Sequence, residues 1–179
     1  TTSLLKAGEE VFREYQALKQ RLVAAFRKVG GCVLVFLESA IDFGHYLHAV
    51  IDCVAIPSDL IVETQFTVRE SLKDINGAFA QNNKIFDLSS QKPLITTIPG
   101  HFNYMYCEVN GGDDEQNDFG LACVIEEESR SKMDHMLEIM AGILEQDPLR
   151  MRYKMKADIQ QEIKTVRMQR QFLMTNNVL

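Results

Sequence analysis

Nine residues near the middle of the chain, FNYMYCEVN at 102–110, constrain the fold more than any other stretch. Phe102, Tyr104 and Tyr106 alternate with Met105, Cys107 and Val109, so an extended segment here is apolar on both faces. Such a strand needs cover above and below and belongs in the middle of a sheet. The polar, glycine-led connection NGGDDEQND at 110–118 joins it to FGLACVIE as an antiparallel hairpin. KIFDL and LITTI, set off by Ser89-Ser90, Pro93 and Pro99-Gly100, read as further strands. CVLVFL at 32–37, preceded by Gly30-Gly31, reads as a strand buried on both faces.

On either side of this region the apolar period becomes helical. Leu4, Val11, Tyr15, Leu18, Leu22, Ala25 and Val29 recur at helical spacing over 3–28, with Glu9, Glu10, Arg13, Lys19 and Arg21 placed elsewhere. A second helix is expected over 39–55, with Phe43, Leu47, Val50, Ile51 and Val54 as its stripe. Pro57-Ser58-Asp59 caps a third, carried by Ile61, Val68, Leu72, Ile75 and Phe79. A fourth, over 128–145, turns Met133, Met136, Leu137, Met140, Ile143 and Leu144 inward, and Asp147-Pro148 begins a long last helix reaching about 174. The expected fold is α+β, a small and mostly antiparallel sheet of about four or five strands packed with helices, with long amphipathic helices at both termini. Residues 1–146 form the core unit and 147–179 a basic amphipathic C-terminal helix.

At 179 residues the chain is long enough for one self-sufficient core, and 46% hydrophobic with 25% charged residues is a globular composition rather than a disordered one. The longest apolar run, 32–37, falls far short of the ~20 residues needed to span a bilayer. Cys32, Cys53, Cys107 and Cys123 lie far apart among apolar neighbours without metal-ligand spacing, which fits free thiols in a reducing, cytoplasmic setting. The chain opens on Thr-Thr without a basic-then-apolar leader pattern, as expected of a trimmed chain or a piece of something longer.

The net charge of -6 is unevenly spread. Residues 106–146 carry eleven acids against Arg130 and Lys132, whereas 147–179 carry seven cations against Asp147, Asp158 and Glu162. An acidic body makes general nucleic-acid binding unlikely, because phosphate neutralisation dominates that affinity. The basic arm instead points to an electrostatic contact with another protein or with a second copy in a homodimer. Arg152, Lys156, Ile159, Ile163, Val166 and Arg167 are the candidate contact residues, with the isoleucines and valine forming a seam between cations.

Groupings that could carry chemistry are sparse. On the expected second helix, Glu38, Asp42, His45 and Asp52 share a polar sector and His48 lies near enough to pair with Asp52, a weak metal or catalytic pattern beside the ordinary reading of a solvated helix face. His101, Phe102, Tyr104 and Tyr106 could line an aromatic pocket for a small molecule. The acidic loop 113–118 lacks the glycine and glutamate positions of a calcium loop, and no phosphate-cradling or serine-nucleophile motif occurs. No cofactor is implied. The reading that follows is a non-catalytic protein-interaction or regulatory module working through its terminal helices. A small-molecule or metal-sensing signalling domain is the alternative, and a metal- or His-dependent enzyme the second alternative.

Overall fold

A computed structural model describes residues 3–41, 48–75, 84–110, 118–126, 134–148 and 159–178. Its centre is a five-stranded sheet in the order β2-β1-β4-β5-β3, every neighbouring pair antiparallel. The strands are β1 (Cys32–Ala40), β2 (Asp52–Pro57), β3 (Ile85–Leu88), β4 (Tyr104–Asn110) and β5 (Phe119–Val124). The doubly apolar stretch at 102–110 supplies β4, the central strand as its pattern demands, paired with β1 through Leu37↔Cys107 and with β5 through Cys107↔Leu121.

Alternation along these strands builds two separate cores. Val33, Val35, Leu37, Met105, Cys107, Val109, Leu121 and Cys123 face one way. There they meet Val68, Leu72 and Ile75 of α2 (Ile61–Ile75) and Met136, Met140 and Ile143 of α4 (His135–Ile143). Leu34, Phe36, Tyr104, Tyr106, Ala122 and Val124 face the other way, toward a 3-10 turn at Leu4–Lys6 and the long helix α1 (Glu9–Val29). Leu94 of the short α3 (Leu94–Thr97) joins that second core. The last helix, α5 (Ile159–Thr175), has its ring Phe172 on Phe26 of α1, centroids 5.3 Å apart.

Several sequence expectations give way. Among the described residues of 39–55 there is no helix: Ser39 and Ala40 extend β1, Asp52–Val54 begin β2, and His48–Ile51 are non-helical, while 42–47 lie outside the described residues. The β-branched residues Val54 and Ile56 fit the alternating side of a strand, and pairing with β1 across Val35↔Val54 and Leu37↔Asp52 overrides the helical spacing. LITTI is not a strand but the turn α3, started by Pro93, whose carbonyl accepts from the hydroxyls of Thr96 and Thr97. α1 starts at Glu9, because Gly8 sits at φ 84 and separates it from the preceding 3-10 turn. Its buried face is also rotated from the expected one. Val11, Leu18 and Val29 are exposed, while Phe12, Tyr15, Lys19, Leu22 and Phe26 turn toward the sheet. At the helix end Gly30 and Gly31 both take positive φ, and this reverses the chain directly into β1.

Candidate functional site

The α1 side of the sheet holds Lys19 and Glu38, the buried charged side chains among the described residues. Lys19, only 6% exposed, sends its ammonium to Glu108 Oε1 at 2.5 Å, and the Tyr106 hydroxyl donates to the other carboxylate oxygen. Tyr15 stands beside them with its hydroxyl buried and next to that of Tyr106. Its phenol is pushed well above the usual range, first by burial and then by the Glu108 charge. One strand over, Glu38 of β1 is 2% exposed; it accepts from the Leu4 backbone N–H at 2.7 Å and from the Tyr104 hydroxyl. Burial raises its carboxyl above the usual carboxylate range, while those donors oppose the shift. This contact fastens the N-terminal 3-10 turn to the sheet.

Beside the Lys19–Glu108 pair an open groove of about 1000 Å³ runs along α1 from Phe12 to Arg27. Its other walls are the ends of β4 and β5 and the segment from Leu88 to Leu94. Asn110, on its β4 wall, has a buried side-chain oxygen without a hydrogen-bond partner.

The sequence-derived candidates are scattered. Asp42 and His45 lie outside the described residues. His48 is exposed in a bend, and Asp52 stands on β2 with its carboxyl raised by burial and then by Asp134. Without a helix at 39–55, the spacing that was to join His48 to Asp52 has no basis. His101 is exposed and lies against Phe102, ring centroids 4.3 Å apart, in the turn before β4. Tyr104 and Tyr106 are fully buried, and of these four residues only Tyr106 lines the groove. Among the described residues no group of three or more His, Cys, Asp or Glu side chains is placed to hold a metal ion.

Of the candidate contact residues in the C-terminal arm, Arg152 and Lys156 lie outside the described residues, and Ile159 and Ile163 are described for their helical backbone alone. Val166 and Arg167 are exposed on α5, as is every residue from Lys164 to Gln171. That stretch carries Lys164, Arg167 and Arg170 and no acid. The helix is held near its end, where Phe172 meets Phe26 and Val178 is 2% exposed. At 100° per residue the three cations fall on the side away from Phe172 and Leu173.

Residues 78–173, more than half of the chain, match the family model described as "Protein similar to CwfJ C-terminus 2". The chain belongs to the CwfJ C-terminus 2 family. CWF19-like protein 2 of Danio rerio is 27% identical over 170 residues, covering 92% of this chain and 16% of that protein. The chain therefore spans about a sixth of that relative's length. The part matching the CwfJ C-terminus 2 model contains β3, β4, β5, α3, α4 and most of α5. It thus includes the sheet wall of the groove and the exposed basic stretch, whereas α1, β1 and β2 precede it.

Sequence reasoning missed the groove because Lys19 was placed on the polar side of α1. A signal was present: Lys19 keeps helical spacing with Phe12, Tyr15, Leu22 and Phe26, and Glu108 interrupts an otherwise apolar strand. One unexpected charge on each of two buried faces is the pattern of an ion pair between them.

Proposed function

We propose that this chain is a splicing-associated protein-interaction module, in which α5 presents a cationic helix face to an acidic surface of a partner protein. Membership of the CwfJ C-terminus 2 family and the likeness to CWF19-like protein 2 support the splicing association, and with it a nuclear place of work rather than the cytoplasmic one expected from composition. No helix among the described residues is long and apolar enough to cross a membrane.

The observation that carries the reading is the unbroken exposure of Lys164–Gln171 on a helix held near its far end. An isolated helix this short is marginal in water, so tertiary contacts normally stabilise such a segment. Here its own sheet gives it few, and the cations ranged on its outward side suit an acidic partner. Val166 and Met168 are exposed as well, and methionine adapts readily to irregular contact surfaces.

The test uses the full chain and a charge-reversed variant, Lys164→Glu/Arg167→Glu/Arg170→Glu, whose altered side chains are all exposed. Each is immobilised and incubated with nuclease-treated nuclear extract, and splicing-complex proteins are quantified across a salt series. Recovery with the unaltered chain should fall as salt rises and drop at least about tenfold in the variant. Equal recovery by both chains, or none by either, overturns the proposal.

A further inference from the structure

The helix α1 carries two overlapping apolar faces and uses one of them. Phe12, Tyr15, Leu22 and Phe26 turn to the sheet with Lys19 among them, whereas Val11, Leu18 and Val29 stand 46%, 40% and 62% exposed on one flank. At 100° per residue, Phe12, Lys19 and Phe26 centre on a direction roughly 90° from that of Val11, Leu18 and Val29. Tyr15 and Leu22 lie between and belong to both faces, so a roll of roughly 50° about the helix axis turns one face into the other. The face in use contains a lysine; the face left in water contains no charge.

What selects the observed face is the ion pair of Lys19 with Glu108, its ammonium also 5.8 Å from the Tyr15 ring centre and 6.0 Å from that of Phe36. A buried ion pair adds little net stability but specifies one arrangement over another. Both ends of α1 are free to turn. Gly8, at φ 84, separates it from the 3-10 turn that Glu38 holds, and Gly30 and Gly31, at φ 75 and 72, separate it from β1. An added Cβ would meet nothing within 4 Å at any of the three, so these joints are unobstructed. One flank of α1 is open as well. Phe12 and Lys19 already border the groove, so a roll that lowers Val11 and Leu18 onto the strands carries Phe12 and Lys19 further into it.

We propose that α1 has two orientations on the sheet, related by a roll about its own axis: the one described, with Lys19 on Glu108, and a second in which Val11, Leu18 and Val29 face the strands and Lys19 turns into the groove. Phe26 moves with Lys19, and its ring contact with Phe172 is what holds α5 near its end. The roll therefore releases α5. A released helix of this length is marginal in water, so a partner would have to order it on binding, whereas the Lys19-in orientation presents it ready formed. By linkage, a partner bound to α5 favours the Lys19-in orientation. This regulatory meaning rests on reading α5 as the partner-binding helix; the roll itself does not.

The test is amide hydrogen exchange of the full chain, read over 164–177. Leu18→Glu keeps its carboxylate in water in the observed orientation but would set it on a strand face that already holds Glu38 and Glu108 after the roll. It should therefore slow exchange over 164–177 about fivefold or more, while β1 and β4 stay unchanged. Ala17→Glu adds the same charge at an exposed position directed away from the sheet in both orientations, and should change nothing. Lys19→Glu opposes Glu108 with a second carboxylate and should quicken exchange over 164–177 about tenfold. Circular dichroism of each variant controls for folding.

Unchanged or faster exchange in Leu18→Glu overturns the proposal, as does equal slowing in Ala17→Glu. A folded Lys19→Glu chain with unaltered exchange overturns it too. Recovery of splicing-complex proteins from extract is read separately. Slowed exchange in Leu18→Glu together with no recovery by the unaltered chain keeps the roll and sinks the α5 reading. Unmoved exchange together with salt-sensitive recovery does the reverse.

Discussion

Glu38 sits where a carboxylate is least comfortable, on an inward-facing position of a central strand, and it is tolerated because Leu4 N–H and the Tyr104 hydroxyl both donate to it. A carboxyl whose folded-state pKa is raised contributes stability below the ordinary glutamate value of ~4.3 and loses it as pH rises through the folded value. Glu38→Gln keeps an acceptor and cannot ionise. Its melting temperature should therefore gain on that of the unaltered chain as pH rises above the ordinary glutamate value, and a difference that stays flat across a pH series would show that the carboxyl is not desolvated. The neighbouring pair behaves differently. Lys19→Met leaves the Glu108 carboxylate without its cation and should cost about 2–4 kcal/mol in urea unfolding, most of which the double variant Lys19→Met/Glu108→Gln should recover. Independent, additive losses would mean that the two charges do not depend on each other.

Among the elements, α5 is exposed over most of its described side chains. Its ring contact at Phe172 and the buried Val178 lie at one end, and Lys164–Gln171 are exposed throughout. Phe172→Ala should speed amide exchange over 164–177 by about tenfold or more while exchange in β1 and β4 stays unchanged, a pattern that mass-resolved hydrogen exchange can read. Sheet-wide slowing or quickening would place the helix inside the core unit instead. The elements also differ in how openly the sequence declares them. β4 and β5 were legible because alternation over several residues has only one structural meaning, and α2 and α4 because their apolar positions keep one face. The stretch 39–55 misled because Val54 fits a helix by its spacing from Val50 and Ile51 while its β-branching fits a strand, and pairing with β1 decided the matter. α1 was placed well and turned wrongly, since Lys19 counts as polar until Glu108 is seen beneath it. The groove was illegible for a broader reason: it is a gap between elements distant in sequence, and no local pattern marks where cover runs out.

At the scale of the molecule, one sheet serves two cores. Ile98 belongs to the α1 side and Met140 to the α4 side, yet both pack against the same five strands. Ile98→Ala and Met140→Ala, each removing a side chain at most 1% exposed, should each cost about 2–5 kcal/mol and keep a single unfolding transition with coincident far-UV and near-UV signals. Two separated transitions would mean that the faces melt independently. The strand order also dictates how such a chain must come together. β1 finds its neighbour β4 only after some seventy residues have intervened, through pairs such as Leu37↔Cys107. Until that long loop closes, β1 has only β2 beside it and β4 only β5, so each keeps one apolar edge open. Assembly should therefore be slow, on the order of milliseconds to seconds, and a ribosome or refolding buffer that delivers the first half alone delivers something sticky.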